Sequence, residues 1–281
     1  MRVIAFAGNL NSGKDTAAER VAEIHGFTRI GLADPLKRLG SVAFDFSFQQ
    51  LWGPSDYRNA VDKRYYEEPG EWHPEPSQEW FYAEDRIIVD GAPWLEDDVF
   101  EYTNKVEKAE AHTKLINWFK WLRETHPNLS PRVMLQTLGT EYGREALYSD
   151  VWIDIGLETS RRLLSGKYDP ETRLAATKYQ EKYGLLYGDV SKWDGKGVII
   201  PDVRFPNELR AIKAAGGQIW RIYRPETDGK ATDTGVAGHA SETSLDAIPD
   251  SEYSGIINND GTLEEFYEAV DVAAGIAMSV G

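Results

Sequence analysis

The residues Gly8-Asn9-Leu10-Asn11-Ser12-Gly13-Lys14-Asp15-Thr16 have the types and spacing to hold phosphate. Two glycines let the backbone curl so that successive N–H groups face an anion, and a following helix adds the positive end of its dipole. Lys14 supplies a point charge for the β and γ phosphates, as the lysine does in the G-x-x-x-x-G-K-[ST] pattern. Asp15 stands where that pattern has serine or threonine, and a hydroxyl able to reach Mg²⁺ comes one residue later, at Thr16.

A loop of this kind needs a strand before it and a helix after it. Val3-Ile4-Ala5-Phe6 is the apolar run of a buried strand, and Ala17, Ala18, Val21 and Ile24 recur at helical spacing. The stretch Phe27 to Ala33 reads as a second strand, with Asp34 as cap and Pro35 in the first turn of the next helix. This is the β-α-β-α rhythm of a parallel sheet. Residues 47–95 carry prolines and aromatics with little period and read as a loop-rich insertion. Helical spacing returns from about 97 to 123, on a stripe of Val106, Ala109, Ile116, Phe119 and Leu122. Ser130-Pro131 starts another helix, through Leu138 or beyond. Val151-Trp152-Ile153-Asp154-Ile155 fits a strand or the start of a helix continuing past Arg161. Residues 165–195 are polar and tyrosine-rich, with a helix expected over 170–183, and suit a lid. Strands are expected again at 197–200, 218–223 and 256–257, and helices at 206–215 and 262–278, the last capped by Thr262.

The fold class expected is therefore α/β: a three-layer sandwich with a central, mostly parallel sheet, helical insertions and a lid. One domain is expected over 1–281, with core segments at about 1–46, 130–160 and 196–281 and insertions at about 47–128 and 161–195. Ligands of such sheets bind beyond the carboxyl ends of the strands. Those ends carry the phosphate loop, Asp34 with Lys37, and Asp202 with Arg204.

The net charge of −15 argues against a nucleic-acid polymer as partner, because that binding is driven by basic surface displacing counterions. A small anion needs only a local basic pocket. No stretch reaches the length of an apolar membrane span, and no leader is expected, since the first apolar run breaks at Gly8. Without cysteine there is neither a disulfide nor a thiolate zinc site, which suits a cytoplasmic location.

What receives a phosphoryl group from such a loop decides which further residues are wanted. A hydroxyl acceptor calls for a carboxylate such as Asp34 to take its proton. A phosphate monoester is already ionised and calls for Mg²⁺, lysine and arginine to hold two anions together. Arginines are frequent in the loops of this chain.

The chain resembles the deoxynucleoside monophosphate kinases of bacteriophages, a branch of the P-loop nucleotide kinases. The resemblance is carried by Gly8 to Thr16, Leu32 to Lys37, Leu51 to Arg58, Pro131-Arg132 with Leu135 to Glu141 and Arg144, Asp202 to Glu208, and His239 to Glu242. It implies that Gly8, Asn11, Ser12, Gly13, Lys14, Asp15 and Thr16 hold ATP, with Lys14 on the transferring phosphate and Thr16 on Mg²⁺. It implies that Asp34, Lys37, Arg58, Arg132, Gln136, Thr140, Glu141, Arg144, Trp152 and Asp202 line a monophosphate pocket. Arg204 would clamp phosphate at the transfer point, and His239 and Glu242 would close the site. Gln136 suits a base edge because its amide both donates and accepts, and arginine forks suit phosphate oxygens.

The activity implied is transfer of the γ-phosphoryl group of ATP to a deoxynucleoside 5′-monophosphate in the cytoplasm, the host's if the chain is phage-encoded. The resemblance and the unassigned aromatics suggest a homodimer. Two other readings stay open at this level: a kinase acting on a hydroxyl, similar to dephospho-coenzyme A kinase, and a nucleotide-gated binding protein using the tryptophan-rich insertion. Trp72, Trp80, Trp94, Trp118 and Trp121 are read as packing residues.

Overall fold

Apolar runs with no polar alternation make strands that are buried on both faces, and Val3–Ala7 (β1) is buried at every residue. The computed structural model describes residues 2–9, 11–65, 108–165, 196–225, 244–245 and 247–279. Beside β1 lie Thr28–Arg29 (β2), Val198–Val203 (β3), Gln218–Tyr223 (β4) and Gly255–Asn258 (β5). All pairs are parallel, in the order β2-β3-β1-β4-β5. The chain thus leaves β1 for one edge, returns through β3, and crosses over β1 to β4, which makes the carboxyl end of β1 the point where the strand order reverses.

Alternation along β1 sends its side chains to two cores. Ile4 and Phe6 meet Ala17, Ala18 and Val21 of α1 (Lys14–His25) and Phe266, Val270 and Ala273 of α9 (Leu263–Ser279). Val3, Ala5 and Ala7 meet Ile153 and Leu163 of α7 (Val151–Ser165) and Leu209 and Ile212 of α8 (Pro206–Ala214). Helices therefore cover both faces. A third core, without strands, joins α2 (Asp34–Ala43), α3 (Phe48–Trp52), α5 (Lys108–Thr125) and α6 (Pro131–Thr137) through Leu36, Leu51, Trp118, Leu122 and Met134. A short helix α4 (Ser55–Asn59) follows α3.

Three expectations change, and one open alternative is resolved. The second strand is two residues long rather than seven, because the N–H groups of Leu32 and Ala33 are taken by the Asp202 carboxylate at 2.9 and 3.0 Å instead of by a neighbouring strand. Asp34 does not cap α2: its Oδ2 accepts from the Gly31 N–H at 2.8 Å and its Oδ1 faces Lys37 Nζ at 3.5 Å. The stretch 47–59 holds two short helices, Phe48–Trp52 and Ser55–Asn59, rather than loop throughout, with Ser47 and Gln50 exchanging capping hydrogen bonds at the start of α3. Five-residue helices are too short to show a period in sequence. The segment from Val151 is helix, the second of the two readings left open.

Helix α5 begins at Lys108 in the described chain; Val106, the side chain of Ala109, the 170–183 helix, and Trp72, Trp80 and Trp94 lie outside the described residues. Trp118 packs in the third core, while Trp121 is partly exposed. Ser130 caps α6, its Oγ accepting from Val133 N–H at 3.3 Å, and the chain then winds as a π-helix over Leu138–Leu147. Among the described residues no helix is long and apolar enough to cross a membrane.

Candidate active site

The carboxyl ends of all five strands open onto one cavity of about 1090 Å³. Its wall includes Lys14 after β1, Asp34 after β2, Asp202 and Arg204 at the end of β3, Arg224 after β4 and Asn259 after β5. It is slightly larger than ordinary ligand pockets, which span roughly 300–1,000 Å³. Among the described residues, eight basic side chains line it (Lys14, Arg29, Lys37, Arg58, Arg132, Arg144, Arg204 and Arg224) against five acidic ones. A chain of net charge −15 therefore concentrates positive charge in one place.

The loop after β1 has backbone that side chains rarely adopt: φ is +147° at Gly8, +62° at Asn11 and +105° at Gly13. A Cβ on Gly13 would lie 2.6 Å from Asn259 Nδ2, and that amide donates to the Ser12 carbonyl at 2.8 Å, so β5 braces the loop from behind. Lys14 Nζ donates to the Asn9 carbonyl at 2.6 Å and lies 3.5 Å from Ser12 Oγ. Asn11, Gly13, Lys14, Asp15 and Thr16 face the cavity, whereas Gly8 and the buried Ser12 form the underside of the loop. Asp15 pairs with Arg29 of β2.

Helix α4 brings Arg58 to the wall and α6 brings Arg132 and Gln136, with Thr140 on the π-helical turn. Arg58 donates to the Gly53 carbonyl at 2.7 Å; burial pulls its guanidinium below the ordinary value, Asp15 opposes this and Arg204 adds to it. Arg132 donates to Asn59 Oδ1 at 2.5 Å. Trp152 also lines the cavity and donates to the Gly139 carbonyl at 2.8 Å, its ring lying where a Cβ on Gly143 would otherwise be. That close approach gives the π-helical turn its shape.

Arg144 differs from the expectation. Its guanidinium pairs with the buried Glu208 carboxylate, donates to the Ser149 carbonyl at 3.1 Å and lies 3.6 Å from the Phe205 ring centroid. Glu208 Oε2 also accepts from the backbone N–H of Arg204 and Phe205, at 2.7 and 3.0 Å. Burial pushes the Glu208 carboxyl up, against the pull of Arg144 and these N–H groups. Arg144 is thus a brace for the turn that carries Arg204 as well as a wall residue. Glu141 is not among the residues that line the cavity in the described part of the chain; its Oε2 is buried without a hydrogen-bond partner among the described residues, and burial raises its carboxyl above the ordinary value. His239 and Glu242 lie outside the described residues.

Arg29, Arg224, Asn259 and Glu208 are wall residues that sequence reasoning did not single out. The first three sit at or just past strand ends, a rule that applied to every strand would have found them. Glu208 carries the mark of a helix start, an acid at the third position after a non-helical residue.

No protein-family model matches the chain. It is 25% identical over 271 residues to a protein of Acanthamoeba polyphaga mimivirus named for deoxynucleotide monophosphate kinase activity, covering 96% of this chain and 94% of that one. It is 23% identical over 283 residues to the deoxynucleotide monophosphate kinase of Enterobacteria phage T4, covering 96% and 97%. These relatives span nearly the whole chain and bear out what its motifs indicated: this α/β protein resembles the bacteriophage-type deoxynucleoside monophosphate kinases within the P-loop nucleotide kinases.

Proposed function

We propose that this chain is a single kinase domain that transfers the γ-phosphoryl group of ATP to the phosphate of a deoxynucleoside 5′-monophosphate, giving the diphosphate and ADP. The observation that carries the reading is the excess of basic over acidic side chains in one cavity at the strand ends, beside a loop with positive φ at Gly8, Asn11 and Gly13. The names of the relatives supply the deoxynucleotide.

Two phosphate anions must meet in the reaction. Lys14, at the first turn of α1, leaves the Asn9 carbonyl for the transferring phosphate, and the loop amides hold the rest of the triphosphate. Arg58 and Arg132 fork onto the acceptor phosphate and Arg204 onto the oxygens of the group in transit, where charge spreads in the transition state. Gln136, Thr140 and Trp152 face the remainder of the acceptor. Thr16 is a hydroxyl-bearing residue of the cavity wall, which fits Mg²⁺ of the phosphoryl-transfer kind, held mainly by phosphate and water with one or two protein ligands. Thr16 is the residue that would hold it, and the ion would neutralise charge on the transferred group.

Asp34 favours a phosphate acceptor over a hydroxyl. A general base needs a carboxylate oxygen open to the acceptor proton, and those of Asp34 are engaged by the Gly31 N–H and by Lys37 in a side chain only 10% exposed.

ADP release coupled to a spectroscopic readout, with ATP, Mg²⁺ and each deoxynucleoside monophosphate in turn, should show acceptor-dependent turnover. Lys14→Ala should lower kcat by about 10²–10³-fold, the usual loss for one preorganised donor, without unfolding the chain. Silence with every monophosphate refutes the proposal.

A further inference from the structure

Asp15 stands at the position that usually carries a hydroxyl, and its carboxylate differs from those of Asp34, Asp202 and Glu208 on the same cavity wall. Asp34, Asp202 and Glu208 are anchored by backbone N–H groups. Asp15 is 74% exposed and its hydrogen-bonding partner is the Arg29 guanidinium. Arg29 comes from β2, on the face it shares with Phe27, where α1 packs, and it lines the same cavity. Asp15 also lies close enough to Arg58 to act on its charge. The Asp15 anion therefore sits in the first turn of α1 paired with Arg29, in the kind of place phosphoryl oxygens take at a helix N-terminus.

We propose that Asp15 and Arg29 form a displaceable latch. Arg29 is a phosphate-binding residue of the donor site that rests on the Asp15 carboxylate while no polyphosphate is present and moves to phosphate oxygens when one arrives. Asp15 is thus an internal competitor for the arginine. The exchange keeps the guanidinium paired throughout, and it is cheap because an exposed ion pair shifts an equilibrium by roughly fivefold at most. A polyphosphate, with several charges and bidentate oxygens, outcompetes one carboxylate, while a weaker monoanion does not. The latch rests on the proposed donor site but not on the identity of the acceptor.

Calorimetric titration of Mg²⁺-free inorganic tripolyphosphate at low salt, into the full chain and its Asp15→Asn, Arg29→Ala and doubly substituted forms, tests this. Both side chains are at the cavity surface, and thermal melts would verify folding. Arg29→Ala should weaken binding and Asp15→Asn should tighten it. Loss of a repelling charge alone also tightens binding, so the decisive quantity is the coupling: the gain from Asp15→Asn should be roughly two- to fivefold larger with Arg29 present than in the Arg29→Ala background. An equal or larger gain in the Arg29→Ala background overturns the latch and leaves the donor site standing. No binding of tripolyphosphate by the unaltered chain overturns both.

Discussion

Replacing Glu208 with alanine removes three interactions from a side chain that is 2% exposed. Arg144 keeps the Ser149 carbonyl and the face of Phe205 but loses its counter-charge, in a side chain only 11% exposed. Breaking a buried pair from one side costs about 3–5 kcal/mol, because the remaining charge is left in poor solvent. The N–H groups of Arg204 and Phe205 lose their acceptor as well. They border an open cavity that water can enter, so the low end of the usual penalty applies to each, about 2 kcal/mol for the two. The expected loss is about 5–7 kcal/mol, a large share of the roughly 5–15 kcal/mol that ordinarily separates folded from unfolded chains.

Urea unfolding followed by tryptophan fluorescence measures this. Glu208→Gln keeps an oxygen for the two N–H groups and should lose about half as much. The double substitution Glu208→Ala with Arg144→Met should recover most of the loss, since replacing both members of a buried pair by apolar groups is often neutral within about 1–2 kcal/mol. If Glu208→Ala stays within about 1 kcal/mol of the parent, or the double form loses the sum of the singles, the pair is not the brace described.

Gly13→Ala puts a methyl 2.6 Å from Asn259 Nδ2 at a φ of +105°, so it should abolish nucleotide binding and lower stability by about 1–2 kcal/mol, read by calorimetry and thermal melts. Burial alone would raise the Asp62 carboxyl, but hydrogen bonds from Arg64 and Gln50 hold it at about 2. A depressed folded value means stability that is complete above the unfolded value near 3.8 and is lost as pH falls from there through about 2. Asp62→Asn should flatten that part of the acid-unfolding curve by roughly 1–2 kcal/mol after allowance for solvent around Arg64, and an unchanged curve would remove Asp62 from the account.

The loop after β1 and most of the sheet were legible because their causes are local. Glycines are wanted where φ is positive, and strands buried on both faces are apolar runs. What local pattern could not show was decided by partners far along the chain. The second strand stops short because Asp202, some 170 residues away in sequence, takes the N–H groups that would have continued it. The run from Val151 to Ile155 is apolar on nearly every side because α7 is wedged between two cores: Ile153 belongs to the sheet's, while Val151, Trp152 and Ile155 belong to the helical one. Within those five residues Asp154 is the lone polar position, and the rest of the polar face, at Glu158 and Arg161, comes only after the run, so five residues give no period to separate helix from strand.

Arginine is where residue type says least. Arg144 and Arg29 each line the cavity and each pair with one carboxylate, so both match what a phosphate pocket asks of a sequence. Burial of the partner separates them. Glu208 is enclosed and also holds two backbone N–H groups, so exchanging it for a ligand would cost several kcal/mol at every turnover, by the same reasoning that makes its removal destabilising. Asp15 is exposed, and letting go of Arg29 costs about 1 kcal/mol or less, within what one phosphate contact returns. Of two like-charged residues on the same wall, only Arg29 is on terms that let it alternate between the protein and a ligand.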